Sequence, residues 1–167
     1  LANNSSLEYV CTHHEQALAM AVEGYSRING FGAGLVTTGP GVTNAITGAY
    51  GAFLDSTPCM FISGQVNEHQ TILHAPGVRQ FGVQEVDAIS LVKPITKYAV
   101  MVRKPEEIRY HLEKAYHIAT TGRPGPVWLD IPLNVQNAKI DADNNQFIDD
   151  KRLGKLDKFL EDFFNKT

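Results

Sequence analysis

Short apolar runs alternate along this chain with longer stretches of helical periodicity, and that alternation limits the fold more than any other feature. A strand followed by a crossover helix returns to the same end of the sheet, so strands joined in this way run parallel. Residues 8–12 read as a first strand, 15–28 as a helix, 33–37 as a second strand and 42–54 as a second helix. A third strand follows at 58–63, then a short helical piece at 84–91, a strand at 98–102, a helix opened by Pro105 and running to Thr120, and a last strand at 127–131 closed by Pro132. The expected fold class is α/β, an open and mainly parallel sheet flanked by helices on both faces. Between 64 and 83 lies an irregular stretch rich in Gly, Gln, His and Asn. Loops of that size inside compact domains are usually functional, which makes it the candidate for contact with substrate or partner.

At 167 residues and 43% hydrophobic content, the chain buries one substantial core and has little room for a second. The expected division is a domain over 1–138 and, over 139–167, an exposed linker with an amphipathic helix that leads toward a further, middle domain. In that last helix Leu153, Leu156, Phe159, Leu160, Phe163 and Phe164 recur at helical spacing. A net charge of -3, with the fifteen Lys and Arg scattered, argues against nucleic acid and anionic membrane surfaces as partners. Cys11 and Cys59 both fall in apolar, strand-like runs and read as small buried hydrophobes, as in a reducing compartment. With no leader-like segment and no apolar stretch of membrane-spanning length, the expected location is the cytoplasm.

Glu15 stands where a strand passes into a nearly all-apolar helix. Poor hydration there would raise its pKa toward the range useful for proton transfer; the plain structural reading is a carboxylate favouring the start of a helix. Gly39-Pro40-Gly41 lies where a strand feeds the next helix, so backbone groups can approach a ligand closely, and spacing alone suggests phosphate. The dinucleotide fingerprint does not follow, because Asn44 occupies its third glycine position and the strand is the second rather than the first. The histidines lack metal-ligand spacing, so no metal site is expected: His13 and His14 are adjacent, and His111 and His117 do not share a helix face. Asp55, Arg123 and Asp130 read as fold-holding groups at turns and strand ends.

Several blocks occur in order: His14-Glu15-Gln16-Ala17, Glu23-Gly24-Tyr25-Ser26-Arg27, Thr38-Gly39-Pro40-Gly41-Val42-Thr43-Asn44, Leu54-Asp55-Ser56-Thr57-Pro58, Ser63-Gly64-Gln65-Val66, Val83-Gln84-Glu85-Val86-Asp87 and Gly122-Arg123-Pro124-Gly125-Pro126-Val127. Together they resemble the N-terminal pyrimidine-binding domain of thiamine-diphosphate enzymes, and within that superfamily the acetolactate synthase group. The resemblance implies that Glu15 hydrogen-bonds a ring nitrogen of the cofactor's aminopyrimidine and promotes the imino tautomer that takes the thiazolium C2 proton to give the ylide. It assigns Thr38, Gly39, Pro40, Gly41 and Asn44 to the pyrimidine ring rather than to phosphate. Gln65 matches a glutamine facing the thiazolium and substrate. Val83, Gln84, His69 and His74 are assigned to the substrate pocket, with one of the two histidines as a proton relay.

Further expectations follow from the same resemblance. Thiamine diphosphate is the expected cofactor, with Mg²⁺ held by a diphosphate-binding domain that these residues do not include, and with room for FAD in a middle domain of a longer parent protein. The expected parent is a carboligase or decarboxylase, of the transferase or lyase class, acting on a 2-oxo acid or aldehyde. It would be a homodimer or homotetramer in which the diphosphate domain of another chain completes the site, so that the isolated chain is inactive. The family's first strand and helix, which precede the matched segment, are expected to be missing, leaving the 1–138 domain incomplete at its N-terminal end. A long 66–83 segment, and Val83 where acetolactate synthase places phenylalanine, point away from pyruvate-plus-ketoacid chemistry. The competing hypothesis is a non-catalytic assembly or regulatory module that keeps the fold and binds no cofactor.

Overall fold

Val127-Trp128-Leu129 is apolar at consecutive rather than alternate positions, the pattern of a strand covered on both faces. The computed structural model describes residues 8–141, and there this run opens the strand β4 (Val127–Pro132). Its neighbours are β2 (Cys59–Gln65) and β3 (Tyr98–Met101), while β1 (Gly32–Val36) pairs with the outer side of β2. The order is β1-β2-β4-β3 and every pairing is parallel. One face is covered by α1 (Glu15–Asn29), α2 (Pro40–Leu54) and the short α3 (Ala88–Val92), around a core that includes Ala19, Val42, Ala45, Phe61 and Trp128. The other is covered by α4 (Ile108–Thr120), where Leu112 and Ala115 meet Met60 and Leu129, and by Val135 of α5 (Leu133–Gln136). The α/β architecture with helices on both faces is therefore the one observed.

The differences from the expected elements have identifiable causes. Residues 8–12 form no strand: none of the four strands pairs with them, and Val10 is 87% exposed. Apolar composition permits an extended chain, but only a partner makes it a strand. The helix expected at 84–91 begins at Ala88, because Gln84 has φ 58 and the Asp87 side chain accepts a hydrogen bond from the Ser90 N–H at 3.1 Å, capping the helix there. Pro105 opens a 3-10 turn (Pro105–Glu107) before α4. The 64–83 stretch gives its first two residues to β2 and contains 3-10 turns at Glu68–Gln70 and Ile72–His74. Cys59 is buried as expected, with Ser26 Oγ 3.3 Å from its Sγ and its thiol pushed up to about 11 by burial. Cys11 is exposed rather than buried, as it belongs to the unpaired 8–12 segment. Asp55 pairs with Arg27, and Arg123 Nε donates to Ser56 Oγ at 2.6 Å, both turn-holding contacts. The amphipathic helix expected within 139–167 lies outside the described residues. Among those described, no helix is long and apolar enough to cross a membrane.

The approach of α1 to α2 fixes where Glu15 ends up, and it depends on Gly48. A Cβ there would lie 2.5 Å from Ala19 Cβ and 2.6 Å from the Ala19 carbonyl carbon, so a side chain would push the helices apart. At Gly51, three residues further along α2, a Cβ would meet nothing within 4 Å. Overpacking costs roughly 1–3 kcal/mol, whereas alanine gains up to about 1 kcal/mol over glycine within a helix. Gly48→Ala should therefore destabilise the protein by about 1–2 kcal/mol in denaturant unfolding, and Gly51→Ala should stabilise it by up to about 1 kcal/mol.

Candidate functional site

In an open parallel sheet the crevices lie beyond the carboxyl ends of the strands, and the sequence blocks singled out above converge there. β1 runs into Thr37 and Thr38, and then Gly39 turns the chain with φ 60 and ψ -112 so that Pro40 becomes the first residue of α2. Proline suits that position, where its missing N–H has no helical acceptor. Glycine is required before it, because a Cβ at Gly39 would lie 2.1 Å from the Gln84 carbonyl oxygen. Gln84, itself in the left-handed region, has its backbone packed directly against this turn.

Glu15 opens α1 after His14, whose Nδ1 accepts the Gln16 N–H at 3.1 Å as the helix cap. Across the helix pair, Asn44 Nδ2 donates to Glu15 Oε2 at 3.1 Å, and a Cβ on Gly41 would lie 3.7 Å from Glu15 Oε1. Three residues from two separate blocks are thus brought together. The carboxylate is only half-buried. Its pKa lies below the ordinary glutamate value, chiefly through the Asn44 hydrogen bond and then its own backbone N–H, against a smaller opposing effect of burial. The expected raised pKa is therefore overturned: the apolar residues of α1 point to the core, not around its first carboxylate.

Gln65 turns inward. Its side chain is buried, and Nε2 donates to the Val86 carbonyl at 2.9 Å and to Asp130 Oδ2 at 3.1 Å. Its Oε1 accepts from Thr38 Oγ1 and from the Val66 N–H, each at 3.0 Å. A carboxamide has two donor hydrogens and two acceptor lone pairs, so these contacts fill it. Beside it, Trp128 Nε1 donates to Ser63 Oγ at 2.9 Å, and Ser63 Oγ donates to Asp130 Oδ1 at 2.5 Å. The strand period explains the grouping: Ser63 and Gln65 share a face of β2, and Ser63 is in register with Asp130 of β4. Burial pushes the Asp130 carboxyl up to about 6, helped by the nearby negative charges of Asp87 and Glu85 and opposed by the two hydrogen bonds it accepts.

A cleft of about 360 Å³ opens between Gly39, Pro40 and Thr43 on one side and Gln84, Glu85 and Val86 on the other, with Arg79 and Gln80 completing it. Of the residues expected in a substrate pocket, Gln84 lines this cleft and Val83, 82% exposed, does not. His69 and His74 lie on the 3-10 turns, outside its lining, and His74 Nε2 bonds Glu68 Oε1 at 2.9 Å. Arg79 carries no sequence signal, and although Asp130 reads as a fold-holding group and Ser63 falls within a quoted block, their pairing has none, since it arises only from neighbours in space. Among the described residues no group of three or more His, Cys, Asp or Glu could hold a metal ion.

Two titrations follow from this geometry. Removing the Asn44 donor in Asn44→Ala should move the Glu15 carboxyl titration upward, as followed by carboxyl-carbon NMR. For Asp130, a folded pKa of about 6 above the ordinary 3.8 means that stability is fully present below about pH 4 and is lost as pH rises through 6. The stability of Asp130→Asn relative to the native protein should therefore shift in the variant's favour by on the order of 3 kcal/mol between about pH 4 and 7, as read from paired denaturation curves.

The family described as "Thiamine pyrophosphate enzyme, N-terminal TPP binding domain" matches residues 1–112. The probable acetolactate synthase large subunit of Methanocaldococcus jannaschii is 43% identical over 141 residues, covering 84% of this chain and 23% of that protein. The acetolactate synthase large subunit of Corynebacterium glutamicum is 40% identical over 142 residues, with 84% and 22% covered. That of Lactococcus lactis is 35% identical over 144 residues, with 86% and 24% covered. The chain thus spans about a quarter of the length of these curated relatives. A sheet of this topology and a match over most of the domain make the chain a member of the thiamine pyrophosphate enzyme family, in the part that forms its N-terminal TPP-binding domain.

Proposed function

We propose that this chain supplies the pyrimidine-binding half of a thiamine-diphosphate site in a larger carboligase or decarboxylase acting on a 2-oxo acid or aldehyde. The observation that carries the reading is the meeting of Glu15 with Gly41 and Asn44, from two blocks well separated in sequence, on one surface at the carboxyl end of the sheet. The residues fit the group. A Cβ at 41 would run into the Thr37 methyl at 2.8 Å and stand 3.7 Å from Glu15 Oε1, so glycine keeps that side of the carboxylate uncovered, and a carboxylate is the acceptor or proton carrier an aminopyrimidine nitrogen requires. Glu15 would hold the ring, with Thr38, Gly39, Pro40, Gly41 and Asn44 as its surroundings. Mg²⁺ and the diphosphate would be held by a domain outside these residues, contributed by another chain of the assembly. Exposed Met20 and Tyr25 on α1, and Tyr50 and Leu54 on α2, support association with such a partner.

When bound, the cofactor supplies a carbon nucleophile for the carbonyl of the substrate. The chain's own part is to present and exchange a proton at Glu15. As it stands the carboxyl is acidic and partly hydrated, so it is an anion at neutral pH. Covering it with a ring and a partner surface strips that water and raises its pKa, while Asn44 keeps Oε2 oriented. Proton exchange therefore belongs to the assembled site.

The test uses the full-length parent protein with thiamine diphosphate and Mg²⁺, following exchange of the cofactor's C2 proton by NMR. Glu15→Gln should bind the cofactor and lose about 10²–10⁴ in exchange rate, the range of a positioned acid-base group. Equal exchange in the variant and the native protein would overturn the role given to Glu15, and no cofactor binding by the native protein would overturn the reading altogether.

A further inference from the structure

We propose that Asp130 is a positioning residue which, through the Gln65 carboxamide, clamps the two walls of the Gly39–Val86 cleft together and so sets its affinity for the small molecule it takes. The clamp has a defined polarity. The Trp128 indole N–H is given to Ser63, which turns the Ser63 hydroxyl hydrogen to Asp130 Oδ1 and leaves Oδ2 to receive Gln65 Nε2. A reversed Gln65 amide would set its oxygen against the Asp130 carboxylate and the Val86 carbonyl, and its NH₂ against the Val66 N–H. Asp130 thereby selects one orientation.

In that orientation one side chain reaches both walls. Oε1 takes the Thr38 hydroxyl, one residue before Gly39, and Nε2 takes the Val86 carbonyl, two residues after Gln84. Gly39 and Gln84 are the residues whose backbones touch, and both line the cleft. The contact is therefore held from each side by the same amide. Gln84 sustains a left-handed backbone that a glutamine adopts only when its surroundings hold it there. A carboxylate with no exposed surface is an expensive part of a scaffold unless what it holds in place has a use.

The affinity part of this proposal rests on the cleft being a cofactor or substrate site, whereas the clamp itself does not. The experiment uses the full-length protein and compares Asp130→Leu, Asp130→Asn and Asp130→Leu combined with Gln65→Leu. Amide hydrogen exchange without ligand should be faster in Asp130→Leu at 37–41 and 82–88, with α4 unchanged. Titration with thiamine diphosphate and Mg²⁺ should show an affinity loss of about tenfold in Asp130→Leu. Asp130→Asn, which keeps an oxygen for Gln65, should stay within about threefold of the native protein, and adding Gln65→Leu to Asp130→Leu should cost nothing further. Unchanged exchange in the two segments, acceleration spread equally into α4, or native affinity in Asp130→Leu would overturn the proposal. If Asp130→Leu does not fold, Thr38→Val cuts the same clamp at its other end; it should speed exchange at 37–41, and its failure to do so would be equally fatal. If the native protein takes no cofactor, the functional reading falls and the exchange comparison alone decides the clamp.

Discussion

The register between β2 and β4 places Ser63 opposite Asp130, neither with any exposed surface, and a carboxylate so enclosed is answered by donors from the protein itself. Both of its side-chain donors come from β2, and the second, Gln65, passes the constraint outward to the turn after β1 and to the segment before α3. The apolar core beneath holds the sheet to its helices, but it does not dictate where the connecting segments lie over the carboxyl ends of the strands. That placement comes from directional bonds radiating from one charged residue. A parallel sheet so capped presents a shaped surface there rather than a set of loose loops.

Much of this architecture is legible in the chain because it is local. α1 and α2 announce themselves through small and apolar residues at helical spacing, although α2 begins at Pro40, two residues before the expected start at 42. β4 is legible from its unbroken apolar run. Residues 8–12 carry the same kind of composition but pair with nothing described, since pairing is decided by a partner remote in sequence. The lowered pKa of Glu15 is not legible for a related reason. Hydration depends on what covers a carboxylate in space, and the residues that follow it in the helix face the other way. Gln65 stands out in the sequence through the resemblance alone. Three of its four partners lie 21, 27 and 65 residues away, so no local pattern reveals that its amide is filled.

The site is correspondingly composite. Glu15 and Asn44 meet through the crossing of two helices, the cleft forms where a loop is folded against a turn, and the buried network lies beneath both. Each part relies on a different kind of force: close packing at Gly48, backbone apposition at Gly39, and charge-assisted hydrogen bonds at Asp130. The helix crossing at Gly48 makes no contact with that network, whereas the cleft hangs from it through Gln65, so a substitution at Asp130 reaches the second part and not the first.

The contrast between the two thiols has a practical consequence. Cys59 is enclosed beside Ser26 with its thiolate strongly disfavoured, so alkylating reagents at neutral pH will pass it by, whereas Cys11 stands in the open. Among the described residues, a maleimide dye or spin label would therefore lodge at a single place, four positions ahead of Glu15, without any engineered cysteine. The chain carries its own attachment point for an optical or magnetic reporter close to the surface on which the proposed chemistry depends.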